Sequence, residues 1–296
     1  MANTIALAER FLPILDGIYK KASLTSRLDA LDERVRFVGA NKIEVFKTEM
    51  NGFGDYSRAN GFPKGSVTSG WEDYTLAVDR GISLDIDAMD NEETLGMAFG
   101  TLQSEFIRTQ EVPEVDAYRF AKLAGTTGIN AATPADITVG TTDCPALIDV
   151  AEEVLGDDEV PEDGRLLYVS EKFYAGIKAK TTRILANENN VQREVEVFNG
   201  MEVVRVPKGR FNTAITLNAG TNSFGFTVGG YPINFMIIHP SAVFSVAKHR
   251  EPRLFAPAVN QEMDAWKFDL RLYHDIFVYD NKVKGVYLNR AATANS

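Results

Sequence analysis

Residues 50 to 71, MNGFGDYSRANGFPKGSVTSGW, gather five glycines, a proline, Lys64 and four aromatic rings, with almost no aliphatic side chains. Glycine beside lysine is the composition of a phosphate-cradling loop, in which backbone N–H groups and a lysine charge hold a polyphosphate at a helix start. The order here is wrong for that chemistry. Lys64 precedes Gly65 instead of following it, and strand-like sequence comes next. Gly52 and Gly54 also lack the third glycine that a dinucleotide-binding turn needs.

The remaining chemistry-bearing residues do not converge either. DIDAMDNEE, residues 85 to 93, resembles a cation loop, but the EF-hand register puts Met89 at a ligand position and Asp90 where glycine is needed. Strand acids followed by a helix N-terminus explain it better. DDEVPED, 157 to 163, reads as a solvated acidic turn. His239, His249 and His274 have no partner at zinc-ligand spacing, and the single cysteine, Cys144, excludes a disulfide framework or a multi-thiolate site. Cys144 stands at a helix start, where a thiol pKa can be lowered, but a lone buried thiol is the better reading. No local catalytic signature is present, so the expectation is a protein without cofactor, metal or catalytic residues.

Composition frames this reading. The 296 residues are 45% hydrophobic and 24% charged, as in a folded soluble chain. The longest apolar runs, such as INFMII at 233 to 238, are far short of a membrane span. Glu9, Arg10 and Asp16 interrupt any signal-peptide core, so synthesis in a reducing cytoplasm is expected. Residues 81 to 163 hold nineteen acids against three bases, whereas residues 164 to 296 are mildly basic. The acidic part repels nucleic acid, and the two parts attract one another between copies. The short clusters Lys20-Lys21, Lys178 to Arg183 and Lys248 to Arg253 read as solvated faces, not a base-reading stripe.

The elements that position these residues follow from periodicity. Residues 2 to 19 space Ile5, Ala8, Phe11, Leu12, Leu15, Ile18 and Tyr19 as an amphipathic helix interrupted by Pro13. KIEVFKTEM (42 to 50) reads as a strand, and YTLAVDRGISLDIDA (74 to 88) alternates over fifteen residues, with Tyr74, Leu76, Val78, Ile82, Leu84 and Ile86 on one face. Together they predict a long hairpin with the glycine-rich stretch as its tip. Leu95, Phe99, Leu102 and Phe106 predict a long helix, opened by an Asp90/Glu93 capping box, kinked or broken near 110 to 113 by Pro113, and stopped at Gly125. Short alternating pieces follow: helices at CPALIDVAEEVLG, EKFYAGIKAK and SAVFSVAKHR, and strands at RLLYVS, MEVVRVP and INFMIIHP. WKFDLRLYHDIFVYDNKVKGVYLN predicts a closing hairpin around a DNK turn.

That order, with DRGISLDIDAMDNEET leading into the long helix, NFMIIHPSAV at 234 to 243 and WKFDLRLYHDIFVYDNKVKGVY at 266 to 287, resembles tailed-bacteriophage major capsid proteins of the Hong Kong phage capsid fold. The resemblance covers nearly the whole chain. It implies an α+β fold with an N-terminal arm (1 to 32), a long β-hairpin E-loop (33 to 80), a peripheral domain with a spine helix (81 to 125), a compact axial α/β domain (126 to 247) and a return to the peripheral domain in a C-terminal β-hairpin (248 to 296). It further implies hexamers and pentamers tiling an icosahedral head shell around phage double-stranded DNA, assembled in a host bacterial cytoplasm with scaffolding protein and a portal, with decoration proteins as further partners. It implies no membrane and no sequence-specific DNA binding. Candidate inter-subunit contacts are Phe11, Leu15 and Ile18 on the arm, and Phe53, Tyr56, Phe62, Lys64 and Trp71 on the hairpin. Some members cross-link a hairpin lysine to a neighbour's asparagine; Lys64 lies in that region, but its surroundings match no such motif. Two alternatives stay open: an encapsulin nanocompartment shell, which shares the fold, and a small-molecule enzyme built on the central α/β module.

Overall fold

Alternation becomes strand, but with partners that alternation alone does not choose. The computed structural model describes residues 23–29, 35–38, 41–58, 61–89, 105–179, 181–188 and 191–295. The arm residues Phe11, Leu15 and Ile18 and the capping box Asp90/Glu93 lie outside them. Strands β1 (Val35–Val38), β2 (Lys42–Met50) and β3 (Val67–Thr75) form one antiparallel sheet. The chain then runs through Leu76 and Ala77 into β4 (Val78–Asp87) without losing its alternation of covered and exposed residues. β3 pairs with β2, whereas β4 pairs with a strand near the C-terminus. The expected strand from Tyr74 to Ala88 is therefore divided between two sheets, and the hairpin returns through Val67–Thr75, which begins inside the stretch expected to be its tip.

The helix does not break at Pro113. It passes through a π turn, Ile107–Glu111, where the Val112 N–H donates to the Ile107 carbonyl, and continues as α1 (Val112–Ala124) with Pro113 in its first turn. Proline has no N–H to give the preceding turn, and the wider π turn absorbs the mismatch. Gly125 caps the end, its N–H donating to Ala121 O at 3.0 Å. After β5 (Asn130–Ala131), α2 (Cys144–Asp157) is N-capped by Asp143, with Pro145 in its first turn. Next come β6 (Leu166–Ser170), α3 (Glu171–Ile177), β7 (Thr182–Glu188), β8 (Val191–Phe198) and β9 (Met201–Val206). Asn199 and Gly200, with φ of 47° and 81°, make the tight turn between β8 and β9. The chain ends in β10 (Asn212–Leu217), β11 (Phe226–Ile238), β12 (Val243–Phe255), β13 (Ala265–Val278) and β14 (Val286–Arg290).

The central sheet runs β5-β14-β11-β6-β9-β8-β7, with β10 also paired to β11. Both faces are covered. On one, Leu166, Tyr168, Met236 and Ile238 pack with Phe120 and Leu123 of α1; on the other, Leu167, Val169, Phe235 and Ile237 meet Ile148 of α2 and Phe173 of α3. Coverage on both sides is why LLYV and FMII are unbroken apolar runs. A third sheet, β12-β13-β4, carries Phe268 and Leu270 on its packed face with Ile82, Leu84 and Phe106 against them.

Two further segments differ from expectation. SAVFSVAKHR is not a helix: a 3-10 turn at Pro240–Ala242 leads into β12, which pairs with β13 from Val243↔Val278 to Phe255↔Lys267. Val243, Phe244, Ser245 and Val246 are all buried, so this strand begins with a run that looks no more like strand than helix. The C-terminal segment is not a hairpin. A 3-10 segment at Asp280–Gly285 carries the chain out of the β13 sheet, and β14 enters the central sheet between β11 and β5. Among the described residues no helix is long and apolar enough to cross a membrane.

Candidate assembly surface

The root of the β2–β3 hairpin is anchored and its outer part is not. Ile43 and Val45 are buried with Leu76, Phe244, Val246, Phe277 and Tyr279, and Tyr74 packs edge-on against Phe244 at 5.3 Å between centroids. Past Val45 every described residue of β2 is exposed or half-covered, and β3 is exposed from Val67 to Trp71. Nine residues per arm extend the ribbon roughly 30 Å. A two-stranded ribbon with so little cover among the described residues is marginal on its own in water.

The ribbon still keeps local order. Phe46 and Trp71 are cross-strand partners, edge-on at 5.3 Å, and the Arg36 guanidinium lies 3.8 Å from the Trp71 ring centre while its Nη2 donates to Glu44 at 2.6 Å. At the tip Ser57 and Gly61 exchange backbone hydrogen bonds of 3.1 and 2.7 Å, which brings Tyr56 and Phe62 edge-on at 5.0 Å. Gly61 has φ of 78°, a conformation that favours glycine. Phe53 is fully exposed, Phe62 is 85% and Met50 75% exposed. Lys64 is exposed beside them.

Of the sequence candidates, Phe53, Tyr56, Phe62 and Lys64 sit on the tip, whereas Trp71 belongs to the strand. Met50, Phe46 and Val67, not among the sequence candidates, are exposed as well. They share the exposed ribbon but alternate among polar residues, and only their lack of cover marks them. At the root, burial and then the neighbouring Asp280 carboxyl push Glu72 above the usual carboxylate range.

No family model and no curated protein sequence matches the chain. Solved structures do match. A structure of Gordonia phage Cozz superposes with a TM-score of 0.60 at 12% identity, covering 92% of this chain and 87% of that one. The capsid of the cyanophage P-SCSP1u gives 0.56 at 12% identity, over 87% and 85%. It is the Hong Kong phage capsid fold. A virus-like particle from Pyrococcus furiosus also shares it, with a TM-score of 0.52 at 12% identity over 93% and 95%. Among the described residues of this fold, the histidines and the cysteine lie apart. His239 caps the 3-10 turn through Ser241, and His274 is buried against Tyr118, with burial holding it well down, at about 3. Cys144 is buried, and that burial raises its thiol pKa, opposite to an activated nucleophile. Among the described residues no cluster of three or more His, Cys, Asp or Glu is placed to hold a metal.

Proposed function

We propose that the chain is a major capsid protein, a structural shell subunit that assembles as hexamers and pentamers into an icosahedral head enclosing double-stranded DNA, with scaffolding protein and a portal during assembly. The observation that carries this reading is the ribbon: anchored at Ile43 and Val45, bare on both faces beyond, and tipped by Phe53, Tyr56 and Phe62. An arm of this kind lies across an adjacent copy, and head-to-tail repetition of that contact closes rings. Obligate interfaces bury on the order of 2,000 Å² or more, which an extended arm supplies without a thicker core. In this reading β1–β3 are the E-loop, the helix through the π turn and α1 is the spine helix, and the β12-β13-β4 sheet is peripheral. The central sheet with α2 and α3 is axial and recruits β14.

Sedimentation of the purified chain over a range of salt and protein concentration tests the proposal. Capsomers or shells are expected, and a chain monomeric under every condition would overturn it. The likeness to a virus-like particle supports a second reading, an encapsulin shell around protein cargo. Nuclease-protected DNA inside particles supports the head, and protein cargo without DNA supports the compartment.

A further inference from the structure

Glu111 is the last residue of the π turn and only 7% exposed. Neither of its carboxylate oxygens accepts a hydrogen bond. Arg250 Nε stands 3.7 Å from Oε1, beyond bonding distance, and Arg250 engages other groups as well. Arg80 is committed elsewhere: it donates to Glu114 at 2.7 and 3.1 Å, to Asn218 O at 2.6 Å and to Gly225 O at 3.1 Å. A buried carboxylate with one loose ion pair and no hydrogen-bond donor is costly, and natural folds commonly complete such a group with a donor or a ligand.

Glu111 borders a cavity of about 200 Å³ between the helix, β4, β13 and the loop before β11. Its walls are Ile82, Phe106, Leu270 and Leu272, and Phe224, which is 73% exposed, stands at the rim. A water's share of liquid is about 30 Å³, so the space exceeds one bridging water, and the apolar walls give further waters few partners. The shape asks for a group with an apolar stem and a head of N–H donors. An ammonium fits best, because charge-assisted bonds to a carboxylate are about twice as strong as neutral ones.

We infer that this cavity is a binding site for an alkylammonium group, with its N–H donors on Glu111 and its methylenes along Ile82, Phe106, Leu270 and Leu272. The same chemistry comes from a lysine side chain of a neighbouring copy or from a free alkylamine. Burial pushes the Glu111 carboxyl up to about 7, against the opposing charge of Arg250 and with a small contribution from Glu114. Binding an ammonium must therefore expel a proton near neutrality. Among the described residues Arg80 and Glu114 also line the cavity and Arg250 stands beside Glu111, and these four formal charges cancel, so affinity comes from hydrogen bonds and the stem rather than from a net field.

Calorimetric titration of the unassembled full chain with n-pentylamine tests this. One saturable site per chain is expected at about pH 8, weakening by ~10-fold or more at about pH 5.5, in Glu111→Gln, and with 1-pentanol as ligand. Titration of the wild-type chain near pH 7 in two buffers of different ionisation enthalpy must also show proton release, a readout that needs no variant. No saturable binding, equal binding of the alcohol, or binding without proton release would overturn the site. Titration of assembled particles separates the sources: blocked binding assigns the site to a neighbour's lysine, and retained binding to a free amine.

Discussion

The Ala77 N–H donates to Asp275 Oδ2 at 3.0 Å, and this bond sits where the hairpin ends and the next sheet begins. Asp275 is fully buried on β13; its Oδ1 accepts from Tyr118 of α1 at 2.8 Å and from the Ile276 N–H at 2.8 Å. One carboxylate thus joins the hairpin root, the third sheet and the helix. Leu76 is held on both sides, its N–H donating to Asn41 O at 2.9 Å and its carbonyl accepting from Tyr273 at 3.2 Å.

Asp275→Ala removes the acceptor of the half-buried Tyr118 hydroxyl and of the N–H of the exposed Ala77, at a cost of about 2 kcal/mol; Asp275→Asn keeps one acceptor oxygen and costs about 1 kcal/mol. Urea unfolding of the unassembled chain reads both. Equal stability of wild type and Asp275→Ala would mean that the junction is held by the ladders alone.

Asp116, fully buried on α1, accepts from Ser23 Oγ at 3.0 Å, Leu24 N at 3.1 Å, Thr25 Oγ1 at 2.7 Å and Arg210 Nη1 at 3.2 Å. Asp116→Ala should cost roughly 3 kcal/mol or more by stranding the Arg210 charge and several donors. It should also release residues 23 to 29. Limited proteolysis checks this: cleavage within that segment is expected to appear in the variant before the rest of the chain is cut.

Glu111 gives a pH dependence of defined sign. Its carboxyl rises from 4.5 to about 7 on folding, so the folded state holds the proton more tightly and stability falls as pH rises through that window. Glu111→Gln should match the wild type near pH 4.5 and exceed it at about pH 8 by up to roughly 3 kcal/mol, measured by urea unfolding at each pH. A Gln variant less stable at the higher pH would show that the Arg250 pair outweighs burial.

The ribbon's aromatic rings separate by role. Phe53→Ser with Phe62→Ser should leave the unassembled chain within about 0.5 kcal/mol of wild type while weakening assembly. Trp71→Ala should cost about 1 kcal/mol in the subunit itself, because Trp71 packs on Phe46 and under Arg36. Thermal unfolding and light scattering together distinguish the two.

Much of this was legible in residue order. The alternation of Val78 to Asp87 marked a strand, CPALIDVAEEVLG marked a helix, and the glycine-rich stretch marked the outer end of a hairpin. Alternation records which face is covered, not which strand is the partner, so the change of sheets at Leu76 and Ala77 left no trace. The run Ala242 to Val246 hid a strand because both faces are covered. The DNK turn signal was local, while Val286 to Arg290 finds its place by pairing with β11 far back in the chain. Glu111 was silent for a related reason: a glutamate in an amphipathic helix reads as solvated until the third sheet is packed over it.

In the proposed function the outer ribbon is an assembly arm and not part of the subunit's core. That role is tested most directly by negative-stain microscopy of two chains, the full sequence and one in which residues 52 to 65 are removed and Ser66→Gly leaves a two-residue turn between Met50 and Val67. The full chain should form closed shells or rings of six and five, and the shortened chain should stay folded by circular dichroism yet fail to close shells. Indistinguishable shells from both chains, or loss of folded subunit on shortening, would contradict it.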